Sequence, residues 1–220
     1  MSARDDVLSN IRRSLGVTGQ ESTRRSIVAQ RLEQAPRGPI PARGQGDEAT
    51  RMATFVAEAQ RVSASFVMLA NRSDVPGEVA RFLSEAGLPP EIRMGDDARL
   101  TGLDWTGLNV LHGRSHGADL TALSHAFAGV AETGSLVVLS GVDNPNTLNY
   151  LPDNHLIVLS AADLCADLES VWVRLRSALG KALMPRTVNI ITGPSRSADI
   201  EQTLLLGAHG PRRLHILVTP

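Results

Sequence analysis

Hydrophobic positions change their spacing several times along the chain, and each change marks a predicted element. Val7, Leu8, Ile11 and Leu15 recur every three or four residues, a short amphipathic helix with Asp5 or Asp6 as N-cap and Gly16 as its stop. From Gly16 to Gly46 the periodicity is lost in polar text rich in Gly and Pro, which predicts a flexible linker. Residues 1–45 therefore read as an N-terminal helix plus linker, and residues 46–220 as an α/β domain. A helix begins near Asp47 on the stripe Met52, Val56, Ala59 and Val62. Ser65 to Ala70 reads as a strand, and Pro76 opens a helix that carries Val79, Phe82, Leu83 and Ala86 up to Gly87.

Short strands follow at Glu91 to Met94 and Leu108 to Leu111. Ala126 to Ala131, built of small residues, predicts a short helical turn, and Ser135 to Ser140 and His155 to Ser160 predict strands. Asp163 can cap a helix with Leu164, Leu168, Val171, Trp172, Leu175 and Leu179 on one face, closed by Gly180 and barred from continuing by Pro185. Two β-branched-rich runs, Val188 to Ile191 and Leu214 to Val218, complete the set. Strands alternating with helices call for a layered α/β fold with a mostly parallel sheet.

Composition narrows the chemistry. Of 220 residues 42% are hydrophobic but only 3% aromatic, so the core is built from Leu, Val, Ile and Ala. A formal net charge of −1 argues against a nucleic-acid binder. Charge is unevenly spread: residues 1–45 hold eight Arg against four acidic groups, and the rest holds 14 basic against 19 acidic. The arm can dock on an acidic partner or stay solvated. Lys181 is the only lysine and Cys165 the only cysteine. One thiol makes no intrachain disulfide and does not hold an iron–sulfur cluster, which takes about four thiolates. No stretch resembles a secretory signal or a membrane span, so a cytoplasmic location is expected.

Two clusters carry candidate chemistry. Glu132, Thr133, Gly134 and Ser135 stand at the start of a buried strand. A partly desolvated carboxylate there suits acid/base or nucleophilic work; the alternative is a turn in which Glu132 accepts backbone N–H bonds. Gly193, Ser195, Ser197, Asp199 and Glu201 follow a strand, where ligands collect in open α/β sheets. Amides after the Gly193–Pro194 turn and nearby hydroxyls can cradle a carboxylate or phosphate, or the segment is simply a capped turn. His209 and Gly210 lie close to the last strand, and an imidazole there can serve as base, acid or turn anchor. His112 and His116 are four apart, but Gly113 and Gly117 spoil the helix a zinc pair needs, and no metal site is expected. His125, His155 and His215 fall in or beside strand-like runs and read as structural. GxGxxG after a strand, a P-loop, HExxH and GxSxG are all missing.

GPSRSADIE (Gly193 to Glu201), GAHGP (Gly207 to Pro211), AETGS (Ala131 to Ser135) and the intervening LNYLPDNHLIVL (Leu148 to Leu159) together resemble the LUD-domain family of lactate-utilization protein C. The likeness runs from about Gln45 to Pro220. It implies a three-layer α/β sandwich with a mixed, largely parallel sheet, similar to the superfold of sugar-phosphate isomerases and CoA-transferases. It further implies a part in oxidising L-lactate to pyruvate beside iron–sulfur oxidoreductase subunits, with clusters only in those partners and no cofactor of this chain's own. Three roles stay open: a component of such an assembly, with or without self-association; an enzyme on a carboxylate-, phosphate- or CoA-bearing metabolite using Glu132; or a sensor that binds such a metabolite through the same loops. The site predicted here requires the Glu132 bend and the Ser195–His209 bends to share one pocket.

Overall fold

A computed structural model describes residues 2–180, 183–197 and 205–220. The chain divides into two units, Met1–Ile40 and Pro41–Pro220. In the first, α1 (Ala3–Leu15) is capped by Ser2, whose hydroxyl accepts from the amide of Asp5 while the Asp5 carboxylate accepts from that of Ser2. Gly16 closes it in the left-handed conformation. The expected linker holds a second helix, α2 (Ser22–Gln34). The polar text before it is an ordered turn: the Glu21 carboxylate accepts from the amides of Thr18, at 2.6 Å, and Gly19, at 3.0 Å. Neither helix has a buried residue.

The second unit is built on a six-stranded sheet. Its elements are α3 (Glu48–Arg61), β1 (Ser65–Met68), α4 (Val75–Glu85), β2 (Glu91–Met94), the single turn α5 (Ala98–Thr101), β3 (Asn109–His112) and β4 (Thr121–His125). There follow β5 (Ala128–Val130), β6 (Ser135–Leu139), β7 (Asn154–Ser160), β8 (Leu164–Cys165), α6 (Leu168–Leu179), β9 (Val188–Ile191), β10 (Arg196–Ser197), β11 (Leu205–Leu206) and β12 (Arg213–Thr219). The main sheet runs β1-β12-β7-β4-β2-β3, every pair parallel. The second sheet, β8-β5-β6-β9, is antiparallel except where β8 joins β5. β10 and β11 form a small antiparallel pair.

The period of two in the central strands sets the layers. Leu156 and Val158 of β7, with Leu217 of β12, pack with Val75, Val79 and Leu83 of α4. Ile157 and Leu159, with Leu214, Ile216 and Val218, pack with Phe55 and Ala59 of α3 and with Leu136 and Val138 of β6. On the other face of the second sheet, Val137, Ala128 and Val130 meet Val171 of α6. The α/β layering and the parallel sheet match the sequence reading, but the strands are shared between two sheets rather than placed in one.

Two local readings are corrected. Ala126 to Ala131 is not a helical turn but leads into strand β5, where Gly129 lets the backbone lie against Leu159: a Cβ there would come within 2.7 Å of that side chain. Helix α6 starts at Asp167 rather than Asp163, because Leu164 and Cys165 pair with Gly129 and Val130. Among the described residues no helix is long and apolar enough to cross a membrane.

Candidate functional site

The AETGS segment turns the chain between β5 and β6, which pair through Val130 and Ser135. Gly134 takes φ +64°, and a Cβ on it would lie 2.3 Å from the amide nitrogen of Ala59 in α3. No side chain fits there. Glu132 is buried; its Oε1 accepts the Leu168 N–H, the first of α6, at 3.0 Å, and its own N–H donates to Ala166. The Glu132 Cβ also abuts Gly44, where a Cβ would approach it to 2.9 Å. The carboxylate is thus engaged at the positive end of a helix. Thr133 and Ser135 instead form a hydroxyl chain, 2.7 Å from one Oγ to the next, which continues 2.6 Å to Thr192.

That chain ties the two predicted bends together. Gly193, at φ +77°, packs on the carbonyl of Val62, to which a Cβ would come within 2.5 Å. Arg196 donates to the same carbonyl at 3.0 Å and to the Ser63 hydroxyl. Ser195 pairs through its backbone with Pro211 and Gly207, and Gly210 lies over its side chain. Both bends therefore meet at the C-terminal end of α3. Cavities of about 450 and 730 Å³ are lined by other segments. His209 is exposed and has no hydrogen bond among the described residues. Asp199 and Glu201 lie outside the described residues. Arg212 pairs with Asp153 at 3.5 Å.

The strand order points to a different crevice. β2 leads outward to β3 at the sheet edge, whereas β4 leads inward toward β7, so the connections part beyond the carboxyl ends of β2 and β4. Open α/β sheets bind ligands at such a switch point. Here an inner cavity of about 60 Å³ is lined by Asp97, Arg99, His125, Phe127, Asp143 and Asn144. An outer cleft of about 730 Å³ is lined by Asp96, Gly113, Arg114, Asn146, Thr147 and Arg186 among others. The loop after β6 walls both. Gly95 backs so closely onto it that a Cβ would fall 2.0 Å from the Asp143 carbonyl, and Thr147 accepts the Ser115 N–H at 3.0 Å.

His125 is buried, and its Nδ1 lies 2.8 Å from the Ala126 carbonyl. A carbonyl only accepts, so Nδ1 carries the proton and Nε2 of the neutral ring keeps its lone pair. Burial, helped by the charge of Arg99, holds His125 below its ordinary pKa. Burial works against the Asp97 charge, yet bonds from Arg99 at 3.0 and 2.6 Å prevail and keep the carboxyl below the usual range. Arg114 and Arg186 are exposed and make no ion pair among the described residues. Free guanidinium groups suit a carboxylate or phosphate, and an unprotonated imidazole suits proton abstraction. The sequence reading takes His125 as structural and names none of the others; the visible signal is Gly95-Asp96-Asp97 directly after a strand. Among the described residues no group of His, Cys, Asp and Glu has the arrangement of a metal site.

Comparison with known proteins identifies relatives of the chain. The LUD domain model matches residues 52–219. Lactate utilization protein C of Geobacillus sp. (strain WCH70) is 34% identical over 92 residues, 41% of this chain and 38% of that one. Its counterpart in Halalkalibacterium halodurans is 36% identical over 91 residues, 40% of this chain and 39% of that one. An uncharacterized protein of Neisseria meningitidis serogroup B is 38% identical over 99 residues, 43% of this chain and 40% of that one. The matches thus span about two fifths of these relatives' lengths. A crystal structure of a DUF162 family protein from Deinococcus radiodurans superimposes with a TM-score of 0.58 at 20% identity, covering 80% of this chain and all of that one, a likeness of fold.

Proposed function

Because the chain belongs to the LUD domain family, we propose that it serves L-lactate utilization, handling the acid while iron–sulfur proteins beside it carry the electrons away. The observation that carries this reading is the family match over residues 52–219, shared with relatives called Lactate utilization protein C. Oxidation of lactate to pyruvate releases two electrons and two protons. A single cysteine does not furnish a cluster's thiolates, so the electron path is assigned to partners. The hydroxyl proton and the carboxylate fall to this chain, and the Cα hydrogen leaves with its electron pair to an electron acceptor held by the partner proteins. In this reading Arg114 and Arg186 hold the carboxylate in the outer cleft, and Nε2 of His125 takes the hydroxyl proton.

The test combines the full chain with purified iron–sulfur subunits of a lactate-utilization system and follows dye reduction driven by L-lactate. Turnover should need this chain and fall at least tenfold in Arg114→Ala/Arg186→Ala and in His125→Asn. Turnover that is unchanged when the chain is omitted overturns the assignment. The reading that places Glu132 at the reaction centre has less support, since its carboxylate bonds the start of α6.

A further inference from the structure

A second chemical arrangement lies at the opposite, amino-terminal end of the parallel strands. Ser65, exposed at the start of edge strand β1, places its Oγ 2.8 Å from Nδ1 of His215 on β12. Nε2 of that buried ring lies 3.0 Å from Oε1 of Glu78 on α4. Glu78 is itself buried and is gripped through both oxygens by Arg81. Phe82 stacks on the imidazole with ring centres 4.9 Å apart, which fixes its plane. Hydroxyl, imidazole and carboxylate therefore stand in line, with only the hydroxyl at the surface.

Proton positions follow from the partners. A carboxylate accepts, so Nε2 of His215 carries the N–H and Nδ1 offers its lone pair to the Ser65 hydroxyl. Burial holds His215 below its ordinary pKa, with Glu78 pulling the other way, so the ring is neutral near pH 7 and open to a proton. The approach to Ser65 is a strained turn: Ser63 has φ +68°, a conformation costly for a residue with a Cβ, and Arg196 is anchored on that turn. An activated serine is recognised by this sequence of roles rather than by its place in a fold.

We propose that Ser65 is a nucleophile toward activated acyl esters and thioesters, with His215 as its base and Glu78 as a positioning residue. Oγ adds to the acyl carbon while its proton passes to Nδ1 of His215. The bond from the acyl carbon to the leaving oxygen or sulfur breaks, and the leaving group takes that proton. Water, deprotonated by the same nitrogen, then releases the acid and restores the hydroxyl.

The test treats the full chain with a fluorophosphonate probe and with p-nitrophenyl acetate, and reads intact mass and peptide maps. One label is expected, on Ser65, with none on Ser63, which is also exposed. Ser65→Ala should abolish it, and His215→Gln and Glu78→Gln should slow it at least tenfold in protein whose circular dichroism is unchanged. Should His215→Gln unfold, Glu78→Gln carries the comparison. Glu78→Gln should also move the pH midpoint of labelling, which a loss of packing alone does not do. The charged groups facing the ring are Glu78, Arg81 and Glu85 of α4. No label, a label elsewhere, or wild-type labelling rates in the folded Glu78 variant overturns the proposal.

Discussion

Replacing Glu132 separates a capping carboxylate from a reacting one. In Glu132→Ala the Leu168 N–H loses its acceptor inside a region where Glu132 is 6% exposed. A hydrogen bond to a charged group contributes roughly 1.5–3 kcal/mol, and a carboxylate at a helix N-terminus about 0.3–1 kcal/mol through the dipole. Asp167 still caps the same helix through the Ser170 amide at 2.7 Å, so the two contributions do not add fully. A loss of about 2 kcal/mol follows. At roughly 2–4 °C per kcal/mol for a domain this size, Tm should fall by about 4–8 °C. Glu132→Gln keeps an acceptor oxygen and loses only the charge, so it should cost about 1 kcal/mol. Thermal melts and urea titrations of the three proteins at pH 7 measure this, and lactate-dependent turnover is read on the same samples. An alanine variant that melts like wild type yet loses turnover refutes the capping account and restores Glu132 to the reaction.

Other positions give independent outcomes. Gly134→Ala should cost about 2–4 kcal/mol, because a Cβ would press on the α3 backbone at φ +64°, and chemical denaturation reads the loss directly. Asp167→Ala should lower stability by about 1–2 kcal/mol, with a larger further loss when combined with Glu132→Ala, because neither carboxylate then serves the helix start; a double-mutant cycle tests that coupling. His155 is fully buried against the Ser124 hydroxyl, and burial pushes its pKa down to about 3. The folded state then binds fewer protons than the unfolded one below pH 6.5, so stability present above that pH drains away as pH falls toward 3. Urea midpoints at pH 7, 6 and 5 should decline, and His155→Gln should decline less steeply.

Long or strongly patterned elements were legible in the chain. Asp47 marks the start of α3, whose cap it forms with the Thr50 amide, and the runs at His155 and Leu214 are the central strands β7 and β12. Short elements were not. β5 is three residues of Ala, Gly and Val, too few to show a period of two, and its strand character comes from pairing with β6 and β8. α2 escaped because its turn is ordered by Glu21, a contact that composition does not reveal. The motif bends were visible, and they do converge on α3, through a hydroxyl chain rather than through a cavity. The crevice was hidden for a topological reason. Asp97 and His125 are 28 positions apart and become neighbours only once β4 is placed beside β2, and a lone His in an apolar run gives no hint of that.

The strand order also fixes a timetable. β1 reaches β7 only through β12, whose residues are made some 150 positions after those of β1, as the pairing of Ser65 with His215 shows. Until that late segment inserts, the edge strand has no partner, and the α3–β1 turn, with the serine beside it, has nothing to lean on. Sheets that close on such distant pairs assemble slowly. During synthesis the facing edges of β1 and β7 therefore stay unpaired until β12 has been made.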